Sequence, residues 1–405
     1  MRYVNKAVPK TDGMALTSGK GLYTDDLAPR DCLVVKVLRS PHAFARIKSI
    51  RKETASRVTG IACILTWEDV PRIRYTLAGQ SYPEPSPYDR YILDQVVRYV
   101  GDPVAIVAGR DEASVDKAMR MIQVKYEVLE PVIDFEKALD NPSVIHPESD
   151  YHTNFDIGGD PSRNLVSSGC DADGDVEAAL AGCDVVVDRT YYTKANAQAM
   201  METFTTYTWL DQTGRLNVTS STQVPFHCRR IIAHALGLPQ GAVRVTKPRI
   251  GGGFGAKQTL VSELFPALVT LRTGRPAKIV YTVGRSSRLP TAATRCGSTS
   301  GWAPCGTAPS RRWTCTPSPT PAPTASTPPP PWAWWDIKIF LSMPRTLPSA
   351  SPMRWSTPTP WRQGHTGAMA PPRAALPWSR PSTSWPPSWA WIRPSCGSKT
   401  CPSRA

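Results

Sequence analysis

Two short segments of this chain carry residue types and spacings that could do chemistry. The first is Ile250-Gly251-Gly252-Gly253-Phe254-Gly255-Ala256-Lys257-Gln258. Four glycines in five positions admit positive φ and close ligand approach, and they let backbone N–H groups converge on an anion as a nest. The apolar run from Leu260 to Leu271 behind the loop is helix-compatible, so a phosphate could also meet a helix N-terminus. Two familiar phosphate loops are excluded. G-x-x-x-x-G-K-[ST] is absent, and G-x-G-x-x-G lacks its proper flanks. The plainer reading, a glycine-rich turn between core elements, stays open. The second segment is Thr219-Ser220-Ser221-Thr222-Gln223-Val224-Pro225, a strand end running into a helix that begins with proline. Gln223 offers a donor and an acceptor to a ligand. The hydroxyls could instead serve only to cap the helix.

These segments need elements to hold them, and the first 282 residues supply a mixture. Leu33 to Leu38 is a β-branched run stopped at Pro41, which cannot donate to a ladder. Val96 to Val100 and Val104 to Val107 read as strands about the turn Gly101-Asp102-Pro103. Asp111 to Met121 has acids early and basic residues late, as a helix dipole favours, and it runs into the period-2 strand Ile122 to Val128. A polar stretch with Gly and Pro, Asn141 to Pro161, reads as a linker. Beyond it come a short helix from Gly174 to Leu180, a strand from Asp184 to Thr193 and a strand from Arg215 to Ser220. The helix Pro225 to Leu236, closed by Gly237, and the strand Val243 to Val245 follow. The pattern predicts an α+β, mixed α/β chain with a first domain over 1–140, a linker over 141–165 and a second domain over 166–282.

Composition separates the remainder. The 405 residues carry a formal charge of +15, but residues 283–405 hold 14 of the 48 Lys and Arg and a single acid, Asp336. The same stretch holds 24 of the 41 prolines and 11 of the 13 tryptophans. The basic charge therefore belongs to the tail and is no argument for a nucleic-acid partner of the first 282 residues. The N-terminus has no apolar h-region, and no run approaches the roughly 18 apolar residues of a spanning helix, so a cytoplasmic chain without membrane attachment is expected. None of the ten cysteines sits in a C-x-x-C pair, which signals neither a zinc site nor a locally bound iron–sulfur cluster. Cys32, Cys63, Cys170, Cys183 and Cys228 are expected to act as small hydrophobes.

Taken in order, the motifs resemble those of a known family. Ser221-Thr222-Gln223-Val224-Pro225, a helix, Leu236-Gly237-Leu238-Pro239, Val243-Arg244-Val245 and Gly251-Gly252-Gly253-Phe254-Gly255-Ala256-Lys257 are similar to the molybdenum-cofactor-binding large subunit of the xanthine dehydrogenase/aldehyde oxidase family. Gly21 to Leu27, Lys36 to Ile47 and Val97 to Ala105 resemble that family's α/β hammerhead domain. Ala199-Met200-Met201-Glu202 sits where the family enters its first cofactor-binding domain. The resemblance covers residues 1–282. It implies a hammerhead domain followed by the start of a molybdopterin-binding domain. It also implies an oxidoreductase that hydroxylates an N-heterocycle such as a purine, or an aldehyde, with water as oxygen source. Gln223 would contact the metal centre, and Gly252, Gly253, Phe254 and Gly255 would line the cofactor with backbone amides. The resemblance also implies that no side chain would ligate the metal. Gln258 would face the substrate; purine-oxidising members often carry Glu there, and a neutral amide cannot act as acid or base. The 2Fe-2S and FAD centres are expected on partner subunits.

The resemblance stops at Thr282, where the family would continue with an Arg-Glu-Glu phrase. Reading residues 314–326 and 363–374 one frame over permits phrases that the family uses downstream, the second carrying its active-site arginine loop. A shifted frame after Thr282 is therefore expected, with 283–405 an out-of-frame tail without native fold. The family's catalytic glutamate is expected beyond Ala405, and the chain is expected to be inactive alone. A non-catalytic scaffold, or a binding module acting through the basic tail, is the competing class.

Overall fold

The computed structural model describes residues 6–77, 82–84, 86–173, 181, 187–193 and 197–287, with the backbone alone of 135, 169–173, 187–193 and 287 and likewise of 296–302, 316–318 and 349–356. Alternation in the β-branched runs places their side chains on opposite faces of a pleated sheet. In β1 (Leu33–Arg39) and β5 (Pro103–Gly109), paired antiparallel, Val35 lies opposite Ala108 and Val37 opposite Ile106. Val35, Val37, Ile106 and Ala108 share one core, while Val107 turns into a second core behind the sheet. Both faces of β5 are thus buried, which is why it reads as an unbroken apolar run.

The full sheet has seven strands in the order β11-β10-β9-β12-β1-β5-β3. Here β3 is Ile61–Leu65, β9 is Thr205–Leu210, β10 is Leu216–Ser220, β11 is Val243–Thr246 and β12 is Ala277–Val280. Helix α1 (Glu112–Met121) covers one face through Val115 and Ala118. Its first turn is held by Asp111, whose carboxylate accepts the Ser114 N–H at 2.8 Å. Helices α2 (Pro225–Ala235) and α3 (Leu264–Thr273) cover the other face with Ile231, Ile232, Leu264 and Leu268. Gly274, at φ +69°, closes α3 in the left-handed conformation that glycine adopts without penalty. A three-stranded sheet of β4 (Val96–Val97), β2 (Ala45–Arg51) and β6 (Gln123–Val128) buries Ala45, Ile47, Val97 and Val104.

The sheet crosses the boundary drawn from sequence. β1 pairs in parallel with β12, Leu33 beside Ala277, so strands from both sides of the 141–165 stretch share one sheet and one core. A pairing between residues about 240 apart leaves no local mark in the sequence. The 141–165 stretch contains no strand before β7 (Leu165–Asp173) and only a single 3-10 turn, Pro161–Arg163.

The predicted helix from Gly174 to Leu180 and the residues Asp184 to Val186 lie outside the described residues. β8 (Val187–Thr193) accounts for the remainder of that expected strand. In the tail, β13 (Cys296–Trp302) pairs with β8 and with β14 (Thr316–Ser318), and β15 (Ser349–Ser356) pairs with β7. Such pairing uses main-chain groups that every sequence carries. The remaining expectations for 288–405 lie outside the described residues. Cys32 and Cys228 are buried and Cys63 is half-buried, all as free thiols.

Candidate functional site

Strand direction brings the chemistry-bearing segments to one end of the sheet. β10 and β11 run parallel, Thr219 beside Thr246, so the segments that leave their carboxyl ends depart side by side. Those segments are the Gln223 stretch and the glycine loop. The crevice outside the carboxyl ends of parallel strands is a general place for ligands. β9 runs antiparallel to β10 with Thr206 opposite Ser220, so the strap that enters β9, residues 199–203, reaches the same end.

The loop adopts the backbone conformations from which nests are built. Gly252 and Gly255 have φ of +95° and +85°, and Phe254, not a glycine, has φ +49°. A second left-handed non-glycine residue, Ala199 at φ +50°, lies in the strap. Each costs on the order of 1–2 kcal/mol, and such conformations collect at functional sites. Space at the loop is equally constrained. A Cβ on Gly253 would fall 2.4 Å from Gln223 Oε1, and a Cβ on Gly251 would fall 2.5 Å from Glu202 Cβ. Gln223 Oε1 is buried against the loop without a hydrogen-bond partner among the described residues. The other hydrogen-bonding end of this amide is its donor nitrogen.

Behind the loop lies a buried polar network. Glu263 is 3% exposed, and its carboxylate accepts the N–H groups of Val261 and Ser262 and the Ser220 hydroxyl at 2.8–2.9 Å. Thr206 Oγ1 lies 3.0 Å from Ser220 Oγ and 2.8 Å from Ser262 Oγ. Burial, and secondarily the Glu263 charge, push the Cys228 thiol well above its ordinary range, so it stays protonated. Lys257 is fully buried. Burial pulls its ammonium pKa down, against the hydrogen bond and charge of Glu202. For His227, in the first turn of α2, burial first and then the Arg230 charge pull the imidazole pKa down, and Arg230 Nη2 donates to His227 Nδ1 at 2.5 Å.

The structure thus gathers Gln223, Gly252, Gly253, Phe254 and Gly255 at one site. Gln258 closes the same loop, its N–H donating to the Gly255 carbonyl at 3.3 Å. Sequence reasoning attached no role to Lys257 and Glu202, which bind each other at 2.9 Å across the loop. The available signal was a lysine wedged between a glycine loop and an apolar helix, where burial demands a counter-ion. Among the described residues no helix is long and apolar enough to cross a membrane. No group of three or more His, Cys, Asp or Glu among them could hold a metal ion.

Comparison with known proteins agrees with this geometry. The molybdopterin cofactor-binding domain matches residues 159–295, and the aldehyde oxidase and xanthine dehydrogenase a/b hammerhead domain matches residues 18–130. A probable hypoxanthine oxidase of Escherichia coli (strain K12) is 36% identical over 306 residues, covering 70% of this chain and 32% of that protein. The nicotinate dehydrogenase large molybdopterin subunit of Eubacterium barkeri is 31% identical over 273 residues, covering 67% of this chain and 59% of that protein. The fold is shared with a reconstituted CO dehydrogenase from Oligotropha carboxidovorans, with TM-score 0.73 and 22% identity, over 89% of this chain and 45% of that one. The chain spans about a third of the length of the first of these relatives. It belongs to the xanthine dehydrogenase and aldehyde oxidase family, as the N-terminal part of that family's molybdenum-binding large subunit.

Proposed function

We propose that this chain supplies the hammerhead domain and one wall of the cofactor pocket of a molybdenum hydroxylase. The observation that carries this reading is the cradle. A loop in nest conformations, with no room for a Cβ at Gly251 or Gly253, lies against an amide whose oxygen is unpartnered. These residues fit a molybdenum–molybdopterin group: the N–H groups of Gly252, Gly253, Phe254 and Gly255 would hold its electronegative periphery, and Gln223 would donate from its amide nitrogen. When bound, that cofactor supplies the two-electron oxidation, with oxygen drawn from water. Gln258 would orient the substrate by hydrogen bonding, since a neutral amide moves no proton.

Relatives named for hypoxanthine and nicotinate favour an N-heterocycle over an aldehyde as substrate. Electrons would leave through 2Fe-2S and FAD centres on partner subunits, and the assembly would work in the cytoplasm. The decisive experiment restores the frame after Thr282 with the downstream sequence and produces that chain with those subunits in a host that makes the cofactor. Molybdenum and pterin are then counted per chain, and hypoxanthine, nicotinate and an aldehyde are offered with an artificial electron acceptor. Stoichiometric pterin with heterocycle turnover supports the reading. An assembled protein free of molybdenum and pterin would sink it.

A further inference from the structure

The lysine at the end of the glycine loop does not behave as an anion-binding lysine. Its side chain has 0% exposure, and Nζ donates to the Glu202 backbone carbonyl and to Glu202 Oε2, both at 2.9 Å. Glu202 Oε2 also accepts the Gly251 N–H at 2.8 Å, while the Glu202 N–H donates to the Gly251 carbonyl at 3.1 Å. The Lys257 carbonyl in turn accepts the Gln223 N–H at 2.8 Å and the Thr222 hydroxyl at 3.4 Å. One residue therefore ties the strap, the loop and the Gln223 segment together. The charge of Lys257 is spent on Glu202, which leaves the loop's backbone amides to meet a ligand.

A buried ion pair is a poor way to gain stability, since well-packed apolar residues of the same volume often serve as well or better. Apolar residues could not accept the Gly251 N–H or donate to the Glu202 carbonyl. A loop with four glycines also loses more backbone entropy on ordering than any other, so its register needs an outside restraint. We propose that Glu202 and Lys257 are positioning residues of the cofactor cradle. Their pair fixes the glycine loop against the strap and, through the Lys257 carbonyl, sets Gln223 toward the pocket. This rests on the cofactor reading above.

The test measures backbone amide exchange in the full 405-residue chain and in the variants Lys257→Met, Lys257→Arg and Glu202→Gln. Peptides spanning 199–204, 220–225 and 250–258 are followed, with β1 and α3 as internal references. Lys257→Met and Glu202→Gln should speed exchange about tenfold in all three segments together, the effect of losing a hydrogen bond to a charged group, and leave the references unchanged. Lys257→Arg, which keeps the charge and donors, should restore most of the protection. Exchange that rises in one segment only, does not rise at all, or rises equally in β1 and α3 would overturn the proposal, as would an arginine variant no better than methionine. In the assembled enzyme, pterin content should follow the same order among the variants. A wild-type assembly without pterin would remove the cofactor reading alone, and the exchange pattern would still decide whether this pair holds the loop.

Discussion

Alanine placed at three glycines separates what the loop does for the fold from what it does for a ligand. At Gly253 the new Cβ would lie 2.4 Å from Gln223 Oε1 and 2.8 Å from Gln223 Cδ, about 1 Å inside ordinary contact. Those atoms end a flexible side chain, so Gln223 swings away at about 0.5–1.5 kcal/mol of rotamer strain. At Gly251 the Cβ would meet Glu202 Cβ at 2.5 Å and Glu202 N at 3.3 Å. No rotation moves those atoms, so the strap must retreat and weaken its bonds to Lys257, which sets the cost at about 3 kcal/mol. Gly214, in the turn between β9 and β10, has φ +77° and nothing within 4 Å of a Cβ, so alanine there pays only the left-handed penalty of about 1–2 kcal/mol. Gly253→Ala and Gly214→Ala should therefore melt within a few degrees of each other, while Gly251→Ala falls roughly 6–12 °C below wild type. In the assembled enzyme Gly214→Ala should keep its molybdenum and pterin, and Gly253→Ala should lose most of both. Thermal melts and pterin counts on the same preparations check this. A Gly253→Ala enzyme with full pterin and wild-type turnover would refute the reasoning, since Gln223 would then have moved without consequence.

Other outcomes follow from features away from the loop. Burial raises the Glu148 carboxyl pKa, but nearby His146, with Nδ1 3.6 Å away, and the charges of Arg98 and Arg74 override it and hold the group at about 2 against an ordinary 4.5. Because the folded value is the lower one, the stabilisation is complete above about pH 4.5 and drains away as pH falls toward 2. It amounts to about 3 kcal/mol, trimmed to about 2 for the 25% of the side chain that meets water. Glu148→Gln should flatten that limb of an acid-unfolding curve. Arg98→Met leaves Asp94 and Glu148 without their shared guanidinium and should cost about 3–5 kcal/mol in urea unfolding. A protease nick within 141–165 should leave the two pieces associated on native gel filtration and separable only in denaturant, because β1 and β12 belong to one sheet. Genomic sequence across codons 280–290 should show a shifted frame. The 405-residue chain alone, with its frame as it stands, should hold no pterin, and restoring the frame after Thr282 with partner subunits should recover it.

What the sequence made legible were local matters. The acids-first order of α1, the alternation of β6, and the proline start and Gly237 stop of α2 each depend on neighbours within a few residues, and each appears where its chemistry put it. β9 escaped notice because its Thr-rich sequence, TTYTWL, has no clear alternation, yet it is the strand that joins β10 to β12 at the centre of the sheet. Its threonines are explained only by tertiary partners: Thr206 faces Ser220 and Ser262, and Thr208 faces Thr270. The site divides the same way. Glycines and a glutamine beside a proline mark a loop of close backbone approach but leave a plain turn equally open, until the motifs in their order give the resemblance. The restraint on the loop is a lysine whose carboxylate partner lies 55 positions earlier, on a strap with no pattern of its own. Burial turns an ordinary Lys and Glu into a device. The apolar run after Lys257 supplies that burial, because α3 draws the end of the loop into the core, where an unpaired ammonium would cost more than the fold could bear.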